Sequence, residues 1–176
     1  MKRKEAKFNN LNYQSVGSID IKELKELTEK SRRKKFRLCL HKKTSDLVQE
    51  MIICTKNFVY SQPHKHPNNK SESYHIIEGS LDVIIFNDKG KVIDKISLSS
   101  SKNKNSQFMY RLSKPYFHTM IPRSKWTIWH EVSTGPFTKK KNQFARYADF
   151  APSEKSKKIE INSFINKIKK ITFKKF

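Results

Sequence analysis

His64 and His66, two positions apart and followed by a carboxylate at Glu72, are the residues of this chain best suited to chemistry. On a strand, side chains two positions apart project from the same face, so both imidazoles would point one way. Two imidazoles on one face make half of a metal site, and imidazole suits Fe, Zn, Ni, Cu or Mn. Glu72 opens the next strand-like segment and could add a carboxylate. Alternation from there puts Glu72, Tyr74 and Ile76 on one face and Ser73, His75 and Ile77 on the other. Glu72 and His75 are therefore not expected to share an ion, and His75 is expected on an outer face. A His-x-His pair alone is common by chance, so its surroundings must decide.

The elements that would position these residues read as a helix, then many short strands, then a second helix. Asp20 and Glu23 have the spacing of a capping box, and Ile19 and Leu24 that of a hydrophobic staple. Ile21, Leu24 and Leu27 form an apolar stripe, and the helix is expected to end near Ser31. Period two takes over in residues 36–41, where Phe36, Leu38 and Leu40 alternate with Arg37, Cys39 and His41. Strand-like pieces follow over residues 50–56, 58–62, 72–77, 80–86, 91–98, 107–112 and 126–132, with a hairpin turn at residues 87–90. This is the rhythm of an all-β sandwich or barrel. There is no βαβ alternation, internal repeat or Gly-rich phosphate loop. After Ala151-Pro152 the chain turns helical and basic. Ile161, Phe164, Ile165 and Ile168 share one face, with Lys167, Lys169 and Lys170 elsewhere. Packing of that apolar face on the domain is favoured over membrane binding. The division expected is a disordered tail over 1–17, one β-domain with its leading helix over 18–154, and a Lys-rich helix or tail over 155–176.

Composition bounds the rest. A chain of 176 residues, 35% hydrophobic, suffices for one domain with a real core. Lys and Arg number 38 against 16 Asp and Glu, a net charge of +22. A basic excess marks nucleic-acid binding only when it is focused on one face. Here most of it is Lys, in a chain also rich in Asn, Ile and Phe, so a general composition bias is the preferred account. Cys39 and Cys54 have no metal-knuckle or redox spacing, and a reduced, cytoplasmic protein is expected. The charged N-terminus is followed by no apolar core of a signal peptide, and no run approaches the ~20 apolar residues of a membrane span.

The segment from His64 through Glu72 to Gly79 resembles the first cupin motif, in which His-x-His, a Glu and a closing glycine recur in this order. The loop before Glu72 is longer than that motif usually has. Residues 114–118, ending Pro115-Tyr116-Phe117-His118, resemble a reduced second cupin motif, without its turn glycine and later Asn. More narrowly, residues 31–41, the stretch from Leu47 through Gly90, residues 130–137 and residues 150–154 are similar to the WbuC family of cupin-fold metalloproteins. The likeness spans roughly residues 30 to 154. It implies an all-β double-stranded β-helix, the cupin jelly-roll barrel, holding one divalent ion (Fe, Mn, Zn or Ni) through His64, His66, Glu72 and His118. WbuC proteins are encoded beside genes for bacterial O-antigen and other surface polysaccharides. The resemblance thus implies a carbohydrate ligand, a sugar or sugar nucleotide, and cupins often pair as homodimers.

Further residues could line such a pocket. His41 either lines it or is a hydrogen-bonded structural histidine. Glu131 is either a base near the metal or, as is favoured, a salt-bridge partner. Tyr74 shares the face of Glu72. Lys70, Arg37 and Arg111 could hold an anionic group. Three functional readings follow: a metal-dependent isomerase or epimerase acting on a sugar, a non-catalytic sugar-binding or regulatory protein, and an Fe(II)-dependent dioxygenase.

Overall fold

A computed structural model describes residues 5–8, 10–57, 59–101, 107–137 and 146–171. Its strands are β1 (Ala6–Phe8), β2 (Lys35–Cys39), β3 (Val48–Lys56), β4 (His64–Lys65), β5 (Glu72–Glu78), β6 (Ser80–Phe86), β7 (Val92–Ser99), β8 (Met109–Leu112), β9 (Phe117–Pro122), β10 (Trp126–Thr134) and β11 (Arg146–Tyr147). Its helices are α1 (Ser18–Lys30) and α2 (Lys158–Lys169). The strands form two sheets, in the orders β1-β2-β3-β10-β5-β8 and β11-β4-β9-β6-β7. Every pairing is antiparallel except that of β1 with β2.

The burial pattern explains why the strands lie so. Ile53, Tyr74, Ile76, Leu81, Val83, Ile85, Leu98, Met120 and Trp129 form one apolar cluster between the sheets. The run over β6 is apolar at nearly every position because both of its faces are covered. Leu81, Val83 and Ile85 face the interior, while Ile84 and Phe86 lie under Ile165 and Ile168 of α2. Full burial of each such side chain contributes about 1.5–3 kcal/mol, so α2 is docked by its apolar stripe, as its sequence pattern indicates. On the other outer face, Leu24 of α1 packs on Phe36, Ile52, Cys54 and Ile128. Strand β2 therefore sends Phe36 to the helix and Arg37 to the interior.

Several elements differ from the sequence reading. Ala6–Phe8 form a short strand beside β2 where a disordered tail is expected; residues 1–4 and 9 of that tail, and 172–176 of the C-terminal segment, lie outside the described residues. Helix α1 starts three residues early: Gly17 is the N-cap, and the Asp20 carboxylate accepts its N–H at 2.8 Å. Ile19 is 83% exposed, so the expected staple between Ile19 and Leu24 does not form. Residues 59–62 are not a strand, and Phe58 of that piece lies outside the described residues. There the Tyr60 hydroxyl donates to the Pro152 carbonyl at 2.7 Å, and its ring meets Phe164 of α2. The hairpin at 87–90 is as expected. Asn87 Oδ1 accepts the N–H groups of Lys89 and Lys91, and Gly90 takes φ +79°. Cys39 and Cys54 are buried and free. No described helix is long and apolar enough to cross a membrane.

Candidate metal centre

Strands from both sheets bring the candidate ligands to one end of the interior. β4 pairs with β9 with His64 directly opposite His118. β5 delivers Glu72 from the other sheet, and the loop after β4 carries His66. The imidazole centroids are 4.4 Å apart for His64 and His118, 5.1 Å for His64 and His66, and 5.3 Å for His66 and His118. One nitrogen from each of the three lies within 4.8 Å of the others, which makes them a group able to hold a metal ion.

Neighbouring groups fix how these side chains point. His64 Nδ1 lies 3.2 Å from the Gln62 carbonyl, and His118 Nδ1 lies 3.1 Å from the Tyr116 carbonyl. A carbonyl only accepts, so both Nδ1 atoms carry the proton, leaving Nε2 as the lone-pair atom for a ligand role. Glu72 is 2% exposed and stands between two histidines, with Oε1 2.8 Å from His118 Nε2 and Oε2 3.0 Å from His66 Nε2. The Tyr74 hydroxyl donates to the same Oε2 at 2.9 Å. Glu72 Oε1 and His118 Nε2 are close but misaligned; both are buried, and neither completes a hydrogen bond. Two buried atoms that leave each other unsatisfied fit a shared cation, and a three-imidazole, one-carboxylate donor set suits a borderline divalent metal.

The electrostatics agree. Burial, helped by His118, pushes His64 down to about 3, so it is a neutral imidazole at any physiological pH. Burial works to raise Glu72, but His118 and His66 outweigh it and hold the carboxyl well below the usual range. Burial likewise works to lower His118, and Glu72 outweighs it, raising the imidazole. Without an ion, His118 carries a second proton at Nε2 and pairs with Glu72 by charge, and a cation held there would take the place of that proton.

The remaining candidates divide. Tyr74 is beside the ligand carboxylate. Glu131 of β10 is paired with Tyr74 and faces inward with it. No ion pair reaches Glu131 among the described residues; its Oε2 accepts the Trp129 indole N–H at 3.3 Å, so the favoured salt-bridge role is not what the structure holds. Burial first, then Glu72, raises its carboxyl above the usual range. His41 is away from the cluster: its Nδ1 lies 3.0 Å from the Glu50 amide, and its ring meets Phe8 edge-on, the structural arrangement. Lys70 donates to the Thr134 and Pro136 carbonyls at 2.9 and 2.7 Å, pinning the loop before β5 to the end of β10. Arg111 donates to Ser73 and Ser71 on the outer face. His75 is exposed beside Phe108, as its strand position indicates. Sequence reasoning missed Lys35, a buried cation on the inner face of β2. Its only signal was the alternation that places it with Arg37, at the end of a Lys-Arg run that reads as solvated.

A groove of about 860 Å³ lies elsewhere, on the outer face of the larger sheet beside α1, lined by Val16, Lys25, Glu50, His75, Ile77 and His130. None of the clustered histidines reaches it. It is wide and open, whereas the convergent, shielded candidate ligands lie inside the barrel.

Comparison with known proteins gives the fold its context. CapF, a capsular polysaccharide assembling protein from Staphylococcus aureus, superposes with a TM-score of 0.51 at 14% identity, over 64% of this chain and 31% of CapF. The fold is a cupin jelly roll. A protein from Shewanella oneidensis aligns with a TM-score of 0.45 at 12% identity over 53% of this chain and 59% of its own. A sugar phosphate isomerase of the cupin superfamily from Silicibacter pomeroyi aligns with a TM-score of 0.43 at 16% identity over 60% of this chain and 59% of its own. The chain thus spans less than two thirds of each of these proteins. A family of domains of unknown function, DUF6016, matches residues 17–98, which include His64, His66 and Glu72 but stop short of His118. No curated protein matches by sequence.

Proposed function

We propose that this cupin is a divalent-metal protein of the WbuC type that acts on a sugar or sugar nucleotide during assembly of a bacterial surface polysaccharide. The observation that carries the reading is the meeting of His64, His66 and His118 around the buried carboxylate of Glu72. The polysaccharide direction comes from the resemblance to the WbuC family, and the CapF description points the same way.

These four residues would hold the ion. A divalent metal in a site with open positions polarises a carbonyl or hydroxyl oxygen. The protein's part is to hold the ligands rigidly and to supply a proton carrier. Carbonyls at Gln62 and Tyr116 orient two imidazoles, and Tyr74 orients Glu72. Glu131, raised by burial, keeps a proton closer to neutral pH than an ordinary carboxyl does, the property required of a group that exchanges protons with a sugar. Isomerisation or epimerisation is the reaction class this suits.

The test is metal content by plasma mass spectrometry of the wild type and of His64→Ala, His66→Ala and His118→Ala variants, each checked for folding by circular dichroism. About one ion per wild-type chain, lost in folded variants, supports the reading. A folded wild type that stays empty after incubation with Fe(II), Mn(II), Zn(II) and Ni(II) overturns it.

A further inference from the structure

His66 is held differently from the other two clustered histidines. His64 and His118 stand opposite each other in the pairing of β4 with β9, and each has its Nδ1 against a carbonyl, of Gln62 and of Tyr116. His66 lies just beyond β4, outside that register. Among the described residues no carbonyl receives its Nδ1; its contact is through Nε2, 3.0 Å from Glu72 Oε2. Its side chain is 24% exposed, against 0% for His118. Where a metal-binding imidazole points is normally set by what its second nitrogen meets. For His66 that task falls to the loop that carries it.

That loop runs from His66 to Glu72, and Lys70 fastens it. The Lys70 N–H closes a turn on the Pro67 carbonyl at 3.1 Å. Its ammonium donates to the Thr134 carbonyl at 2.9 Å and to the Pro136 carbonyl at 2.7 Å. Next to it the Thr134 N–H donates to the Ser71 carbonyl at 3.0 Å, and the Ser71 N–H donates to Thr134 Oγ1 at 3.2 Å. The strip that receives these bonds is itself fixed. The Gly135 N–H donates to the Leu47 carbonyl at 2.7 Å and the Phe137 N–H to the Thr44 carbonyl at 2.6 Å. Gly135 lies so close to the Asp46 carbonyl that a Cβ would collide with it. Lys70 has no carboxylate within ion-pair distance among the described residues. An ammonium bonded to two backbone carbonyls restrains geometry rather than balancing a charge.

We propose that Lys70 is a positioning residue of the metal centre: by clamping its loop to Thr134 and Pro136 it keeps His66 beside Glu72, and so sets how tightly His66 joins the ion. This rests on the reading of the clustered histidines as metal ligands. Electrostatics alone makes the opposite demand. A lysine near the site repels a divalent ion, so removing its charge by itself strengthens metal binding. A loss of affinity on removing Lys70 is therefore the mark of positioning.

The test is titration of the full-length protein with Co(II), followed by visible absorption. Co(II) takes the same imidazole and carboxylate donors as the other divalent ions, and its spectrum changes with the number and geometry of its ligands. The proteins are the wild type, Lys70→Met, Lys70→Gln, Lys70→Arg, His66→Ala and the double variant Lys70→Met with His66→Ala, each checked for folding by circular dichroism. Lys25→Met is the control for loss of a remote positive charge, since Lys25 pairs with Glu78 on the outer face. Lys70→Met and Lys70→Gln should each weaken Co(II) binding about tenfold or more, as loss of a group that orients a metal ligand does. If one of them misfolds, the other decides. Lys70→Arg keeps donors for both carbonyls and should recover most of the affinity. In the His66→Ala background Lys70→Met should have no further effect, because the ligand it acts through is already gone. The Co(II) spectrum of Lys70→Met should move toward that of His66→Ala. Binding by the folded Lys70 variants as tight as the wild type or tighter, an equal loss in Lys25→Met, or losses that add in the double variant overturns this inference and leaves the metal reading standing. A folded wild type that binds no Co(II) overturns the metal reading, and this inference with it.

Discussion

Replacing Lys35 by Met should stabilise this protein, by an amount that depends on pH in a way that can be worked out. Burial lowers the Lys35 ammonium from 10.5 to about 7. The charged groups around it are Arg37 and Arg33, which add to the lowering, and Glu131 and Glu154, which oppose it. Between these two values the unfolded chain binds a proton that the folded chain does not, so the stability from this group rises with pH from about 7 to 10.5. Below about 7 both states are protonated and the folded state carries the full penalty, about 5 kcal/mol from the displacement itself and less where the fold relaxes around the charge. Met keeps the apolar stem and removes the charge. In guanidinium unfolding without ligand, Lys35→Met should exceed the wild type by a few kcal/mol at pH 6, and the gap should close by about 1.4 kcal/mol per pH unit between pH 7.5 and 9. Taking the difference between the two proteins cancels the cysteines and tyrosines that titrate higher. A variant less stable than the wild type at pH 6, or a gap that stays flat with pH, would refute the description of Lys35 as a buried, unpaired cation.

Three further outcomes follow. Metal affinity should increase as pH rises through the raised titration of His118, because an ion must displace the Nε2 proton that faces Glu72; calorimetry in buffers of different ionisation enthalpy should detect proton release, and a pH-independent affinity would contradict the ligand assignment. Gly79 sits at φ +81° in the turn between β5 and β6, and a Cβ there would collide with the Trp126 carbonyl oxygen. Gly79→Ala should therefore cost about 1–3 kcal/mol in denaturant unfolding, and a neutral result would mean that the turn has other conformations available. The edge strand β8 exposes Met109 at 52% beside Phe108 at 63% and Ile77 at 42%. Such an edge is expected to pair with a second copy, giving by light scattering about twice the 20.8 kDa chain mass, reduced by Met109→Lys; a monomer at all concentrations would rule this out.

Much of the fold was legible locally. Alternation marks β2, β5 and β10 because each has its two faces in different environments, and the 3.6-residue stripe of Ile161, Ile165 and Ile168 marks α2 because one side lies on the sheet. The segment 117–122 was harder to read as a strand. His118, Thr119, Met120 and Ile121 are all buried, so polar and apolar residues follow each other without a two-sided pattern. Residues 58–62 look like a strand from their β-branched and aromatic content, yet Val59 and Tyr60 serve as packing for α2, a contact that only the folded chain creates.

The same division holds at the site. The pair His64 and His66, with Glu72 and the later His118, was visible as a candidate set because imidazoles and carboxylates are chemically distinctive and stand in the order of the cupin motifs. The sequence could not say that Tyr74 and the carbonyls of Gln62 and Tyr116 orient those ligands, since such bonds follow from side-chain direction. Nor could it separate Lys35 from its neighbours in a chain with 38 basic residues. By itself the sequence determined the strand rhythm and the two helices, because each depends on residue type and spacing, and the resemblance to the cupin motifs added a candidate ligand set. Which of its many charges lies inside the barrel was decided by tertiary structure alone, because burial is a property of the register between strands distant in the chain.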